Sequence, residues 1–471
     1  MLFTSLVFLF VFLPSLLLLY YLIPKRLRNN LLLFYSFLFY AWGGVSYSII
    51  LLGSVWLNYL FIKQIEKQNE HCKTWLISGL MFNVLLIVIF KYLDFIIGNV
   101  NVLGETFLTD YHSIKFFKIV LPLGISFFTF QQMSLLWDVY RDKETPKVRL
   151  TDIALYISLF PQLIAGPIVR YKDIIKQINW RDESFELFKS GIRKFIIGLF
   201  KKLIIANSCA SIADQIIDAP LDSINTPIAW MGILSYTFQI YFDFSGYSDM
   251  AIGLGRMFGF KIHENFNFPY ISTSIKEFWR RWHISLSTWF RDYLYIPLGG
   301  NRVSKTRTYV NLLLVFLLTG FWHGATWSFI FWGLFHGSFL LLEKAGLDRL
   351  LQKAPKPLSW LYMMLFVIIG WVFFRIESFD SAFAFCKLLF GLNQSSTAHF
   401  INYLSYENIA IMTLAILSST TFFLIVKEKV KLLKNDYWVH IIYDASLILM
   451  FILSVSYVVS DSYNPFIYFR F

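Results

Sequence analysis

The sequence predicts an all-α, polytopic integral membrane protein of about ten to twelve helices plus re-entrant segments. Three observations carry that prediction. Of 471 residues, 57% are hydrophobic and 20% aromatic, with a mean hydropathy of +0.57. Apolar runs repeatedly reach the ~20 residues that cross a ~30 Å hydrocarbon core. Between those runs Lys and Arg gather in short stretches, as in loops retained on the cytoplasmic side.

Taken in order, residues 2–23 read as a retained first span. The run is longer than the apolar part of a signal peptide, and Lys25, Arg26 and Arg28 follow it where small residues would mark cleavage. Residues 31–62 exceed one crossing and contain Gly43-Gly44, so they predict a hairpin of two spans returning at 63–73. Residues 75–90 and 119–140 form the next pair, with 102–118 mixed in character and 141–149 a charged loop. In 153–170 the apolar pattern is broken by Pro161, Gly166 and Pro167. Broken backbone at membrane depth needs protein or a water-filled cavity around it, so this segment is expected to be re-entrant, with a proline-kinked span as the alternative.

Residues 170–186 are charged and interfacial; 195–217 and 228–244 are the following spans. The long polar region 261–307 holds eight Lys/Arg against three Asp/Glu and is expected in the cytoplasm. Residues 309–342 then run without Lys, Arg, Asp or Glu, too far for one untilted span, with Gly320 and Gly324 as natural breaks. The last spans are 358–374, 409–426 and 441–459, with 344–356 and 427–434 cytoplasmic and 463–471 outside. One membrane-embedded domain over 1–471 is expected: N-terminal helices 1–140, a catalytic core 141–342 and C-terminal helices 343–471. No internal repeat is evident, which argues against the paired-repeat transporters.

Charge and cysteine usage exclude several classes. A net charge of +12 would suggest nucleic acid in a soluble protein, but here it lies in inter-span loops, where orientation and anionic headgroups account for it. Membrane lipids, and no nucleic acid, are therefore the expected partners. Cys72, Cys209 and Cys386 have no CxxC or metal spacing, and no metal is predicted.

Chemistry in the charge-free run 309–342 falls to His323 and His336, its only imidazoles. An imidazole titrates near ~6.5, and an ionisable group at membrane depth is expensive enough to mark a site. Residues 276–293 combine Trp279, Trp282, Trp289 and Tyr293 with Lys276, Arg280, Arg281 and Arg291. Such a mixture fits a membrane interface; it also fits a cationic entrance for a phosphorylated cofactor, since the Arg fork binds phosphate by two charge-assisted bonds. His283 lies 40 residues before His323, so only the fold can bring them together. Neither belongs to an HExxH or HxH pattern, and no GxSxG elbow is present. Asp243 and Asp249 are either buried carboxylates that orient a base or pair Arg256, or solvated groups on an interfacial turn.

Pro122-Leu123-Gly124 through Gln131, Pro161-Gln162-Leu163-Ile164-Ala165-Gly166-Pro167, Phe244-Ser245-Gly246-Tyr247-Ser248-Asp249, Phe278-Trp279-Arg280-Arg281-Trp282-His283, Trp322-His323-Gly324 and the aromatic terminus 466–469 resemble the membrane-bound O-acyltransferase (MBOAT) family. More narrowly, they are similar to its bacterial alginate and peptidoglycan O-acetyltransferase branch. The resemblance implies tilted helices around a transmembrane tunnel in the bacterial inner membrane, with His323 as the catalytic imidazole and His283 in a helper role where many members carry Asn or Asp. It implies acetyl-CoA as donor, a separate periplasmic esterase-like O-acetyltransferase as partner, and a polysaccharide acceptor reached indirectly. On that reading Lys276, Arg280, Arg281 and Arg291 bind the phosphates of the donor. A composition rich in Lys, Ile, Phe and Asn favours peptidoglycan over an alginate-like glycan. The competing readings are D-alanyl transfer to teichoic acid, a glycan or lipid transporter, and a scaffold for a glycan-modifying partner. His336 is the rival for the catalytic role.

Overall fold

The computed structural model describes residues 1–108, 111–115, 119–142, 148–392, 399–431, 436–460 and 467, which are helical with no strand among them. Among the described residues, five helices are long and apolar enough to cross a membrane: Val45–Ile65, Cys72–Phe107, Phe185–Ile217, Lys356–Arg375 and Ile441–Ser460. Phe8–Leu22 and Tyr406–Ser418 are shorter apolar helices. The chain forms two compact units: Met1–Phe185 with Phe258–Ile262 and Gly324–Thr326, and Glu186–Met257 with His263–His323 and Trp327–Phe471.

In the first unit the expected hairpin is present as Lys25–Ala41 and Val45–Ile65, broken at Gly43-Gly44. The span expected over 75–90 instead continues to Phe107, because Leu93, Ile96, Ile97 and Val100 extend its apolar face at helical spacing. Helices Val45–Ile65, Cys72–Phe107 and Ile125–Arg141 are joined by buried amides. Asn58 and Asn83 exchange hydrogen bonds at 3.3 and 2.8 Å, Asn58 donates to Gln132 at 3.1 Å, and Gln132 donates to Ser54 at 2.9 Å. Polar pairs of this kind hold helices together where lipid offers no hydrophobic drive.

The broken segment is broken as expected, and a kinked single span is ruled out. Helix Leu150–Ser158 stops, one turn spans Phe160–Leu163, and the chain runs on without helix to Arg170. Protein groups take up the freed backbone: Ser36 Oγ accepts the N–H of Phe160 at 3.1 Å, and Tyr156 donates to the Val169 carbonyl at 2.8 Å. Gly124, at φ 75°, lets the preceding loop close on this turn, since a Cβ there would lie 2.6 Å from the Leu163 carbonyl oxygen. The interfacial stretch is the amphipathic helix Tyr171–Asn179, which buries Tyr171, Ile174, Ile175 and Ile178.

In the second unit the span expected over 228–244 is the middle of a 32-residue helix, Thr226–Met257. The interfacial turn considered for Asp243 and Asp249 therefore does not exist. Both carboxylates are buried in that helix: Asp243 pairs with Lys202 at 2.6 Å, and Asp249 with Lys201 at 2.7 Å and Lys194 at 3.0 Å. Arg256 pairs with Glu264 rather than with either of them. Residues 309–342 are a hairpin, Lys305–His323 and Trp327–Leu342, that turns at Gly324. Gly320 remains helical and serves close approach instead: a Cβ there would lie 2.3 Å from the Phe329 carbonyl oxygen, and one on Gly333 2.4 Å from that of Phe316. The span expected over 409–426 is divided into Tyr406–Ser418 and Phe422–Lys431. The terminal 463–471 stretch lies outside the described residues except Ile467, whose N–H donates to Asp243 Oδ2 at 2.8 Å.

Candidate active site

The site lies within the second unit and is assembled from three short-range structural decisions. Ser274 caps helix Ile275–Arg281, its Oγ accepting the N–H of Glu277 at 3.1 Å while Glu277 reaches back to the N–H of Thr273 at 2.9 Å. This is a capping box, Ser-x-x-Glu, shifted by one residue at its return bond. Glu343, from the far end of the hairpin, satisfies the next two donors: its carboxylate accepts the N–H of Ile275 at 2.7 Å and of Lys276 at 2.9 Å. The helix then ends at Trp282, and His283 takes a left-handed conformation, φ 44° and ψ 55°, before helix Ile284–Phe290 begins. The aromatic stretch is thus two helices with a histidine at the break, so no single helical face carries Trp279, Trp282, Trp289 and Tyr293.

A cavity of about 420 Å³ opens between this broken segment and helix Lys305–His323. His283 and His323 both line it, together with Trp279, Trp282 and Thr319, and Lys276, Arg280 and Arg291 are also on its wall. His323 is 4% exposed; its ring meets Trp322, Trp332 and Phe374 edge-on at centroid distances of 4.9, 5.1 and 5.1 Å. His283 is 1% exposed, with Phe244 edge-on at 4.6 Å and its Nδ1 3.3 Å from Asn265 Oδ1. Burial holds the His283 pKa down to about 3, so the ring is neutral.

The four basic residues divide. Lys276 faces Asp348 at 3.5 Å, and Arg291 bonds Asp292 at 2.8 Å while its side chain is 60% exposed. Arg280 has no ion pair among the described residues. Arg281 is absent from the cavity wall: it is tied to Glu277 at 2.9 Å and to the Asn267 carbonyl at 3.1 Å. His336 is also elsewhere, enclosed by Trp279 and Trp332 at 5.1 and 5.0 Å, and a Cβ on Gly370 would come within 2.4 Å of its Nε2. No cluster of three or more His, Cys, Asp or Glu suited to a metal is present among the described residues.

Sequence reasoning missed Asn265 and Glu343, which organise this geometry from 18 and 67 or more residues away. The Ser-x-x-Glu capping pattern was a readable signal for the helix start. Glu343 closes the charge-free run, a position that reads equally well as a loop.

The model of the MBOAT, membrane-bound O-acyltransferase family, matches residues 142–386. The chain is 46% identical to a probable alginate O-acetylase of Azotobacter vinelandii over 83% of its own length and 78% of the relative's. It is 40% identical to a probable alginate O-acetylase of Pseudomonas putida over the full length of both, and 41% identical to a peptidoglycan O-acetyltransferase of Helicobacter pylori over 85% and 81%.

Proposed function

Because the chain belongs to the membrane-bound O-acyltransferase family, we propose that it takes an acetyl group from cytoplasmic acetyl-CoA and delivers it across the bacterial inner membrane for polysaccharide O-acetylation. The observation that carries this reading is the composition of one cavity: two buried imidazoles together with three cationic side chains. Its volume falls within the ~300–1,000 Å³ typical of small-molecule sites.

The residues present suggest a division of labour. Lys276, Arg280 and Arg291 receive the donor's phosphates; Arg281, already committed to Glu277, does not. The thioester arm passes Trp279 and Trp282 toward the histidines. His323 takes the proton from the acceptor hydroxyl, whose oxygen attacks the thioester carbonyl; the C–S bond breaks, and the thiolate recovers the proton from the imidazolium. If His323 instead carries the acetyl group itself, the same atoms move in two steps. His283 assists from across the cavity. The catalytic core is residues 141–342.

The names of the alginate and peptidoglycan relatives support a polysaccharide as the final acceptor. A periplasmic esterase-like O-acetyltransferase completes the transfer to the glycan, with peptidoglycan favoured over an alginate-like polymer. Purified protein in liposomes is expected to consume acetyl-CoA thioester and not a D-alanyl carrier-protein thioester. Movement of glycan or lipid without thioester consumption would replace this reading with a transporter.

A further inference from the structure

Asn265 has no role in the reaction outlined above, yet it is 1% exposed and held on every side. Its carbonyl accepts the N–H of Ile284 at 2.9 Å. Its Oδ1 accepts the backbone N–H of Ser285 at 3.1 Å and the Ser285 hydroxyl at 2.9 Å, and its Nδ2 donates to Ser248 Oγ, in helix Thr226–Met257, at 3.2 Å. A backbone N–H can only donate, so the amide end facing residues 283–285 must be the oxygen. That oxygen lies 3.3 Å from His283 Nδ1. A second polar neighbour of Nδ1 is Ser285 Oγ at 3.4 Å, whose hydroxyl donates to Asn265 at the shorter distance of 2.9 Å. Nδ1 therefore faces two acceptors and carries the ring hydrogen.

We infer that Asn265 is a positioning residue that holds His283 in the Nδ1–H tautomer, leaving Nε2 as the ring nitrogen that can accept a hydrogen bond when His283 assists acyl transfer. The inference rests on the participation of His283 proposed above. Backbone geometry points the same way. His283 sits at φ 44°, a conformation that costs a non-glycine residue of order 1–3 kcal/mol and persists only where its surroundings over-determine it. Here the two bridging bonds, Ile284 N–H to Asn265 and Asn267 N–H to Arg281, each 2.9 Å, supply that determination. Around the rest of the ring stand Phe244, Phe266 and Trp322. The nearby carboxylates are engaged elsewhere: Glu264 with Lys194 and Arg256, Glu277 with Arg281, Asp292 with Arg291. A neutral amide thus orients the imidazole while stabilising its charged form less than a carboxylate would.

The test uses the full-length protein in liposomes. With nitrogen-labelled histidine, NMR signals of His283 are identified by their loss in H283Q; a protonated Nδ1 and an unprotonated Nε2 are expected, becoming a tautomer mixture in N265A. An Nε2–H ring in the unsubstituted protein overturns the inference. In the acetyl-CoA assay, N265A should lose at least about tenfold in kcat with little change in KM, the scale of a misplaced base. N265D places a carboxylate beside Nδ1–H, so the pH at which the His283 NMR signals titrate should move up by about one unit or more. An N265D titration curve for His283 that superimposes on that of the unsubstituted protein overturns the inference as well. Should the unsubstituted protein consume no acetyl-CoA, the proposed function falls, and the tautomer measurement still decides what Asn265 does.

Discussion

His323 and the cationic wall of the cavity make separable contributions, and substitutions tell them apart. His323→Ala removes the proposed base and leaves a pocket among Trp322, Trp332 and Phe374; a positioned base contributes about 10²–10⁴-fold, so acetyl transfer should fall by that factor while the protein still inserts and purifies normally. Arg280 and Arg291 act on binding. Removing both should raise KM for acetyl-CoA about tenfold or more, by loss of charge-assisted phosphate contacts, and leave a truncated thioester lacking the adenosine phosphates unaffected. His283 adds a pH signature. Its pKa lies near 3 when folded and near 6.5 when unfolded, so between those values the unfolded chain binds the extra proton and stability falls with pH. The melting temperature should decline from about pH 6.5 downward, and H283Q should decline less over the same window. The histidines and most of the basic residues were legible because ionisable groups stand out in an apolar chain. Arg281 was not separable from Arg280 by sequence, since only the turn of the helix sends one to the cavity and the other to Glu277. Asn265 was invisible for a different reason: its partners are made by a chain reversal 18 residues later.

At the scale of elements, apolar length located the helices well and their ends poorly. Gly43-Gly44 and the Pro161–Pro167 segment broke where the sequence places Gly and Pro, which act locally. The end of Thr226–Met257 was misplaced because Asp243 and Asp249 look like turn residues until Lys201, Lys202 and Lys194 on the adjacent helix neutralise them. Gly320 was mistaken for a break because glycine has two uses, and only the facing Phe329 carbonyl shows which applies. That contact makes a prediction. Gly320→Ala must push the hairpin apart just before His323, at a cost of about 1–3 kcal/mol for overpacking, and should lower both melting temperature and transfer rate. Gly53→Ala is the control: nothing lies within 4 Å of the added carbon in helix Val45–Ile65, so stability should hold or rise slightly. Equal effects of the two substitutions would mean that the close approach at Gly320 does not position His323.

For the whole molecule, the question is how a chain with so much apolar surface keeps charged groups in its interior. Lys202 and Asp243 are 3% and 1% exposed, and their contact is completed by Asn207, which accepts from Lys202 at 2.9 Å, and by the N–H of Ile467. A buried pair of this kind gains little over an apolar pair of equal volume, yet breaking it strands a charge at about 3–5 kcal/mol. The bond from Ile467 also ties the end of the chain to the middle of helix Thr226–Met257, 224 residues earlier in sequence. Asp243→Asn should therefore destabilise strongly, while Asp243→Leu combined with Lys202→Met should recover most of the loss. Thermal unfolding in detergent measures both. Because neither residue lines the cavity, the double variant should also recover acetyl-CoA consumption, its KM following the unsubstituted protein. A double variant that regains stability but not turnover would place the ion pair in the transfer path, and the proton route proposed through His323 would have to be redrawn to include it.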